Sequence, residues 1–97
     1  MFSETSEGTT KLLVPKHPTK SIFYNPAMEL CRDIDIASIA AFSSSHPTPA
    51  QLTYVDALAG TGVRGVRVAN EVGLQVTIND RSTPAYELIK RNIALNK

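Results

Sequence analysis

Ninety-seven residues make one small domain, and 10 Lys plus Arg against 9 Asp plus Glu leave a formal charge of +1. That balance excludes a polybasic arm and an acidic solvating tail, so affinity for nucleic acid cannot rest on bulk charge. The 42% hydrophobic content fits a globular chain, no apolar run reaches the ~18 residues of a membrane span, and Met1–Thr10 is too polar for a signal peptide. The single cysteine, Cys31, cannot close an internal disulfide, which fits a reducing, cytoplasmic compartment with no membrane partner.

Met1–Thr10 is rich in Ser, Thr and Glu and reads as a loose segment. Leu12-Leu13-Val14 reads as a short strand ended by Pro15, and Lys16–Lys20 as a connector. Ser21–Pro26 carries the aromatic pair Phe23-Tyr24. Asn25 as cap and Pro26 as first residue predict a helix to about Phe42. Leu30, Cys31, Ile34, Ala37 and Ala41 recur at helical spacing and are expected to form its buried stripe. Ser43–Gln51 is a serine- and proline-containing loop. Leu52–Leu58 reads as a buried strand, Ala59–Gly65 as a glycine-rich turn, and Val63–Glu71 as a helix that Gly73 ends. Leu74–Ile78 is a second β-branched strand. Thr83-Pro84 opens a third helix, with Leu88, Ile89, Ile93 and Leu95 facing the sheet.

Strand, helix, strand, helix with short connections makes a βαβα unit of a parallel α/β sheet. The chain divides at 1–20, 21–50 and 51–97. Two parallel strands leave a bare sheet edge, and the third helix ends where another strand would begin. The expectation is the N-terminal part of a larger, incomplete domain; a mini-domain that completes its sheet by dimerising is the alternative.

Gly60-Thr61-Gly62-Val63-Arg64-Gly65 matches G-x-G-x-x-G between a predicted strand and a predicted helix. Asp80, at the end of the second strand, is placed to accept both hydroxyls of a ribose. Together they point to a nucleoside-containing cofactor. Asp56 selects among nucleosides. A carboxylate about 5 Å from a pyrophosphate charge costs roughly 3 kcal/mol at an effective dielectric of about 20. Against the sulfonium and ammonium of S-adenosylmethionine the same charge is attractive. Asp56 as a mere acceptor for loop amides stays open. Arg64 stands in the first helical turn, against the helix dipole, where a ligand carboxylate would justify a guanidinium. Arg32 has a plainer reading as a helix-surface partner of Glu29 and Asp35.

Three stretches carry a resemblance. Ser21–Ile34 (Ser-Ile-Phe-Tyr-Asn-Pro-Ala-Met-Glu-Leu-Cys-Arg-Asp-Ile) resembles the FYNP-x-M-x-x-N-R-D signature of tRNA (guanine(26)-N2)-dimethyltransferases. Asp56–Arg67 resembles their D-A-L-x-x-T-G-I-R-G-I-R loop. Asn79-Asp80 with Ala85–Asn92 is similar to their N-D … A-Y-E-L-I-x-x-N stretch, and Glu7-Gly8 with Leu12–Lys16 to their N-terminal strand.

The resemblance implies a Rossmann-like class I methyltransferase acting on N2 of guanine 26 in tRNA with S-adenosylmethionine. It implies donor contacts from Arg32, Arg64 and Asp80, and a hold on the extruded guanine from Phe23. Gly60 and Gly62 belong to the donor loop. Cys31 replaces the family's Asn and Ala27 a frequent Arg, departures that bear on a polar or RNA contact. The family's catalytic Asp-Pro-Phe-Gly segment and its RNA-binding domain lie beyond Lys97, so the 97 residues are expected to hold no catalytic residue and to be inactive alone. Asn25-Pro26 lacks the second proline and aromatic of the Asn-Pro-Pro-aromatic amino-methyltransferase motif. His17 and His46 have no partner at metal-ligand spacing, and Arg81, Lys90, Arg91 and Lys97 read as a solvated basic face. A non-catalytic nucleoside-binding module or split half, and an NAD-binding oxidoreductase fragment, are the competing functions.

Overall fold

The computed structural model describes residues 1–97 as a hairpin, a long helix and a parallel βαβα unit. β1 (Phe2–Glu7) and β2 (Thr10–Pro15) pair antiparallel from Phe2↔Pro15 to Glu7↔Thr10. The reading of Met1–Thr10 as loose is therefore corrected. A two-residue turn at Gly8-Thr9 closes the hairpin, with Gly8 at φ +56°, the left-handed region such turns require. Glu7 and Thr10, polar in sequence, are buried because other side chains bond them. Composition concealed a strand whose inward groups are polar but paired.

A 3-10 turn over Pro26–Met28 precedes α1 (Glu29–Ser45), and the Asn25 side chain accepts from the Ala27 amide at 3.0 Å, as a cap should. The expected apolar stripe faces outward instead. Leu30 and Ile34 are exposed, whereas Arg32, Ile36 and Ser43 are buried. The helix turns its arginine inward because a carboxylate waits there, and that pairing outweighs the burial of Leu30 and Ile34.

β3 (Thr53–Asp56) and β4 (Gln75–Ile78) are parallel, in register from Thr53↔Gln75 to Asp56↔Ile78. β3 is not the buried strand the sequence predicts: residues in both strands alternate between half-buried and exposed, and Val55 is 63% exposed. Between them α2 (Val63–Arg67) runs into a π-helical turn, Val68–Val72, closed by an i→i+5 bond of 3.0 Å from the Gly73 amide to the Val68 carbonyl. α3 (Thr83–Leu95) is capped by Ser82 rather than Thr83, the Ser82 hydroxyl accepting from the Ala85 amide. No helix is long and apolar enough to cross a membrane.

The core is two small clusters, Leu12, Val14 and Val63 with Tyr24 against them, and Ile22, Ala85 and Leu88 with Phe2 and Leu13. Asn92 of α3 joins the layers. Its side chain accepts from the Leu13 amide at 2.7 Å and donates to the carbonyls of Leu13 (3.1 Å) and Thr61 (2.9 Å). A buried amide left unpaired costs about 1–3 kcal/mol; here every group has a partner. Asn96 repeats the pattern with both backbone groups of Lys11. The helix thus pins β2 and the glycine loop at once.

Candidate functional site

The parallel ladder continues past its strands. The Asn79 amide donates to the Asp56 carbonyl at 2.8 Å and the Ala59 amide to the Asn79 carbonyl at 3.0 Å. These bonds bring the chain leaving β3 beside the tip of β4. There the Gly60 amide donates to Asp80 Oδ2 at 2.8 Å, while Asp80 Oδ1 accepts from the Ser82 amide at 2.9 Å. Gly60 and Asp80, twenty positions apart, meet directly. Gly60 has φ +60°, and a β-carbon on it would stand 2.6 Å from the Phe23 carbonyl oxygen. Gly62 caps α2, its carbonyl accepting from the Val66 amide. Gly65 serves packing, since a β-carbon there would meet Ile78 Cγ1 at 2.6 Å.

Asp56 Oδ2 accepts from the Gly65 amide at 3.0 Å. Of the two roles weighed for this acid, the geometry displays the loop-holding one. Burial pushes its carboxyl above the ordinary value, the Gly65 amide and the Arg64 charge oppose this, and the Asp80 charge adds to the rise. Arg64 reaches from α2 to α1, where its Nε donates to Asp35 Oδ2 at 2.8 Å. Both side chains are part-exposed, so the pair is worth about 0–1 kcal/mol and exchanges easily for another carboxylate.

Arg32 is 2% exposed and pairs with neither Glu29 nor Asp35. Its Nε and Nη2 donate to the Glu7 carboxylate, the latter at 2.7 Å, and Nη2 also reaches the Asn25 carbonyl at 3.1 Å. The Tyr24 hydroxyl donates to Glu7 Oε2, and the Arg32 guanidinium lies 4.8 Å from the Tyr24 ring centre. Arg67 Nη1 adds contacts of 3.3 Å to Glu7 and 2.8 Å to Asp33, and its Nε bonds Glu71 at 3.0 Å. Burial pushes the Glu7 carboxyl up. The hydrogen bonds from Arg32 and Tyr24 and the two arginine charges outweigh it and hold the carboxyl below its ordinary value. Burial and the Glu7 carboxylate together push the Tyr24 phenol up to about 12. Sequence reasoning named Arg32 as a helix-surface partner or a donor contact, found Tyr24 only as a motif letter and gave Glu7 no role; the one signal for Glu7 was the Glu7-Gly8 match.

At the strand tips lies a crevice of about 470 Å³ lined by Lys20, Phe23, Leu58, Gly60, Asp80 and Arg81. Phe23 is 69% exposed. Neither Lys20 nor Arg81 forms an ion pair. Thr61, inside the glycine loop, is fully buried, yet its hydroxyl has no hydrogen-bond partner. Of the residues expected to form the site, Phe23, Gly60 and Asp80 share this crevice; Asp56 and Arg64 lie beside the glycine loop, and Arg32 is buried apart from the crevice lining, in the Glu7 network. His46 turns its Nδ1 to the Thr48 amide, away from all of them.

Known proteins resemble the chain over nearly its whole length. The family model described as N2,N2-dimethylguanosine tRNA methyltransferase matches residues 3–97. The tRNA (guanine(26)-N(2))-dimethyltransferase of Methanosarcina mazei is 46% identical over 93% of this chain and 26% of its own length. That of Methanoregula boonei is 42% identical over 94% of this chain and 25% of its own. The structure of Trm1 from Pyrococcus horikoshii in complex with S-adenosyl-L-methionine superposes with a TM-score of 0.84 at 41% identity, covering 98% of this chain and 24% of that one. The chain thus spans about a quarter of the length of the relatives it matches, and its βαβα unit has the parallel, Rossmann-like arrangement. With the glycine loop, its aspartates and the Phe23-Tyr24 element all within the matched span, the chain belongs to the N2,N2-dimethylguanosine tRNA methyltransferase family.

Proposed function

We propose that this chain forms the donor-binding and target-facing part of a tRNA (guanine(26)-N2)-dimethyltransferase. The observation that carries the reading is the shared crevice, in which an exposed aromatic ring, a glycine loop and the strand-tip Asp80 lie together. S-adenosylmethionine supplies an electrophilic methyl group on a sulfonium. The residues suit such a group. Asp80 Oδ1 and Oδ2 each hold one backbone amide and keep lone pairs for ribose hydroxyls. Gly60 and Gly62 let the backbone come close, and the unpartnered Thr61 hydroxyl marks the loop as a cradle still short of one bond.

Asp56, already oriented by the Gly65 amide, presents negative charge toward the donor's positive end. Arg64 exchanges its exposed Asp35 partner for the donor carboxylate. Arg32 has Nε and Nη2 engaged with Glu7 and Asn25, and its remaining nitrogen, Nη1, is assigned to the same carboxylate. Phe23 stacks on the extruded guanine, which offsets part of the lost stacking in the tRNA. Lys20 and Arg81, both free of acids, flank the ring where backbone phosphates would pass. The proton leaving N2 goes to the Asp-Pro-Phe-Gly carboxylate that the family resemblance assigns beyond Lys97, and tRNA binding draws on that further part of the protein.

The test uses the full-length protein. Calorimetry with S-adenosylmethionine should give a Kd that rises at least tenfold in Asp80→Ala and Arg64→Ala. Labelled methyl should pass to tRNA bearing guanine 26 and not to the same tRNA with adenine there. Tighter binding of NAD than of the methyl donor would overturn the reading.

A further inference from the structure

Phe23 projects into the crevice from between two anchors. On one side Ile22 is 5% exposed, in the cluster with Ala85 and Leu88. On the other, Tyr24 packs on Leu12, Val14 and Val63. Two flanking residues held in separate clusters fix the backbone on both sides of Phe23, and with it where the ring stands. The Ile22 anchor is apolar and slides readily. The Tyr24 anchor is directional, since its hydroxyl ends on Glu7 Oε2.

Glu7 holds the next residue as well. Through Arg32 Nη2 it reaches the Asn25 carbonyl, with the guanidinium lying over the Tyr24 ring. Glu7 is itself immobilised at the hairpin turn, 1% exposed and bound by Arg67 as well as Arg32. One carboxylate on β1 therefore dictates the path of Tyr24-Asn25. The Phe23 carbonyl, immediately before, abuts Gly60 so closely that a β-carbon would not fit. Any drift of this segment moves the aromatic ring relative to the donor loop.

We infer that Glu7 is a positioning residue for the methyl-acceptor base: through the Tyr24 hydroxyl and Arg32 it sets the orientation of Phe23 against the glycine loop. The inference rests on the proposed stacking of Phe23 on the target guanine. It goes further in giving the N-terminal hairpin a part in turnover. Tyr24→Phe is the informative variant, because it deletes one oxygen and leaves the ring in its cluster.

In the full-length protein Tyr24→Phe should lower kcat on tRNA about tenfold while the Kd for S-adenosylmethionine stays within twofold. The same substitution made in a Phe23→Ala background should cost less than twofold more, because the ring it positions is gone. A purely structural role would lower activity equally in both backgrounds, and that result would overturn the inference, as would a tenfold loss of donor affinity. Hydrogen exchange gives a readout independent of activity. Tyr24→Phe should speed amide exchange about tenfold at Ala27 and Met28, which donate to Asn25, and leave β4 unchanged; unchanged exchange at Ala27 and Met28 would overturn the inference. Wild-type protein that transfers no methyl to tRNA, with exchange behaving as stated, would fault the functional reading and leave Glu7 as the residue that orders Phe23. Glu7→Gln serves as the second variant. It keeps an acceptor oxygen for Tyr24 but halves the grip on Arg32, and should fall between wild type and Tyr24→Phe in both assays.

Discussion

The carbonyl oxygen of Phe23 occupies the space that a side chain on Gly60 would need, at 2.6 Å from the position of its β-carbon. The two residues lie 37 positions apart and both line the crevice, and the obstacle is a backbone atom, which cannot yield by changing rotamer. Gly60→Ala faces both this clash and φ +60°. It should cost about 1–3 kcal/mol, read as a lowered unfolding midpoint, and weaken donor binding more than tenfold. A variant as stable as wild type would show that the two segments move apart freely.

Gly65 separates a packing effect from a conformational one. A β-carbon there meets Ile78 Cγ1 at 2.6 Å and Asp56 Cβ at 3.2 Å, without a positive φ. Gly65→Ala should push α2 from β4 and break the hydrogen bond from the Gly65 amide to Asp56. We expect a loss of about 1–3 kcal/mol, and the companion Ile78→Ala, which removes the opposing Cγ1 and Cδ1, should recover part of it. Chemical denaturation of the single and double variants checks this.

The Glu7–Arg32 pair should behave as a buried ion pair does. Removing one partner in Arg32→Met strands a carboxylate with only Arg67 and Tyr24 to satisfy it, at a cost of about 3–5 kcal/mol. Replacing both partners with apolar residues of similar volume should cost less than either single change. A double variant as unstable as the sum of the singles would contradict the pairing.

Glu7 and Asp56 should drive stability in opposite directions with pH. The Glu7 carboxyl lies below its ordinary value in the fold, so its contribution is present above the unfolded value and is lost as pH falls through the folded one. The Asp56 carboxyl lies above its ordinary value, so its charged form weakens the fold at neutral pH, and that penalty lifts as pH falls through the raised value. The gap in Tm between wild type and Glu7→Gln should therefore be widest near neutrality and close in acid. Asp56→Asn, which keeps an acceptor for Gly65, should gain Tm at neutral pH and lose that gain in acid. Thermal unfolding from pH 7 downward reads both.

The βαβα unit and its glycine loop were legible because their signals are local. G-x-G-x-x-G needs a strand before it and a helix after it, and Asp80 falls where the parallel register brings it to Gly60. The hairpin's first strand was not legible, because Glu7 and Thr10 are buried through partners 17 to 61 residues away, which composition does not register. The stripe on α1 failed for the same reason. Periodicity counts apolar residues, and the side chain that goes inside is Arg32. Arg32 and Arg64 were picked out as site residues, but their partners Glu7 and Asp35 were set by tertiary packing alone.

The Glu7 network also orders events at the ribosome. Glu7 emerges first, meets Arg32 only 25 residues later and Arg67 a full 60 residues later. During vectorial synthesis the carboxylate stays hydrated until the long helix has left the exit tunnel, and the hairpin becomes immobile only when α2 follows. The donor loop waits longer still, for Asp80 to hold Gly60 and for Asn92 to hold Thr61, so a nascent chain stalled before Asn92 would carry no fixed loop.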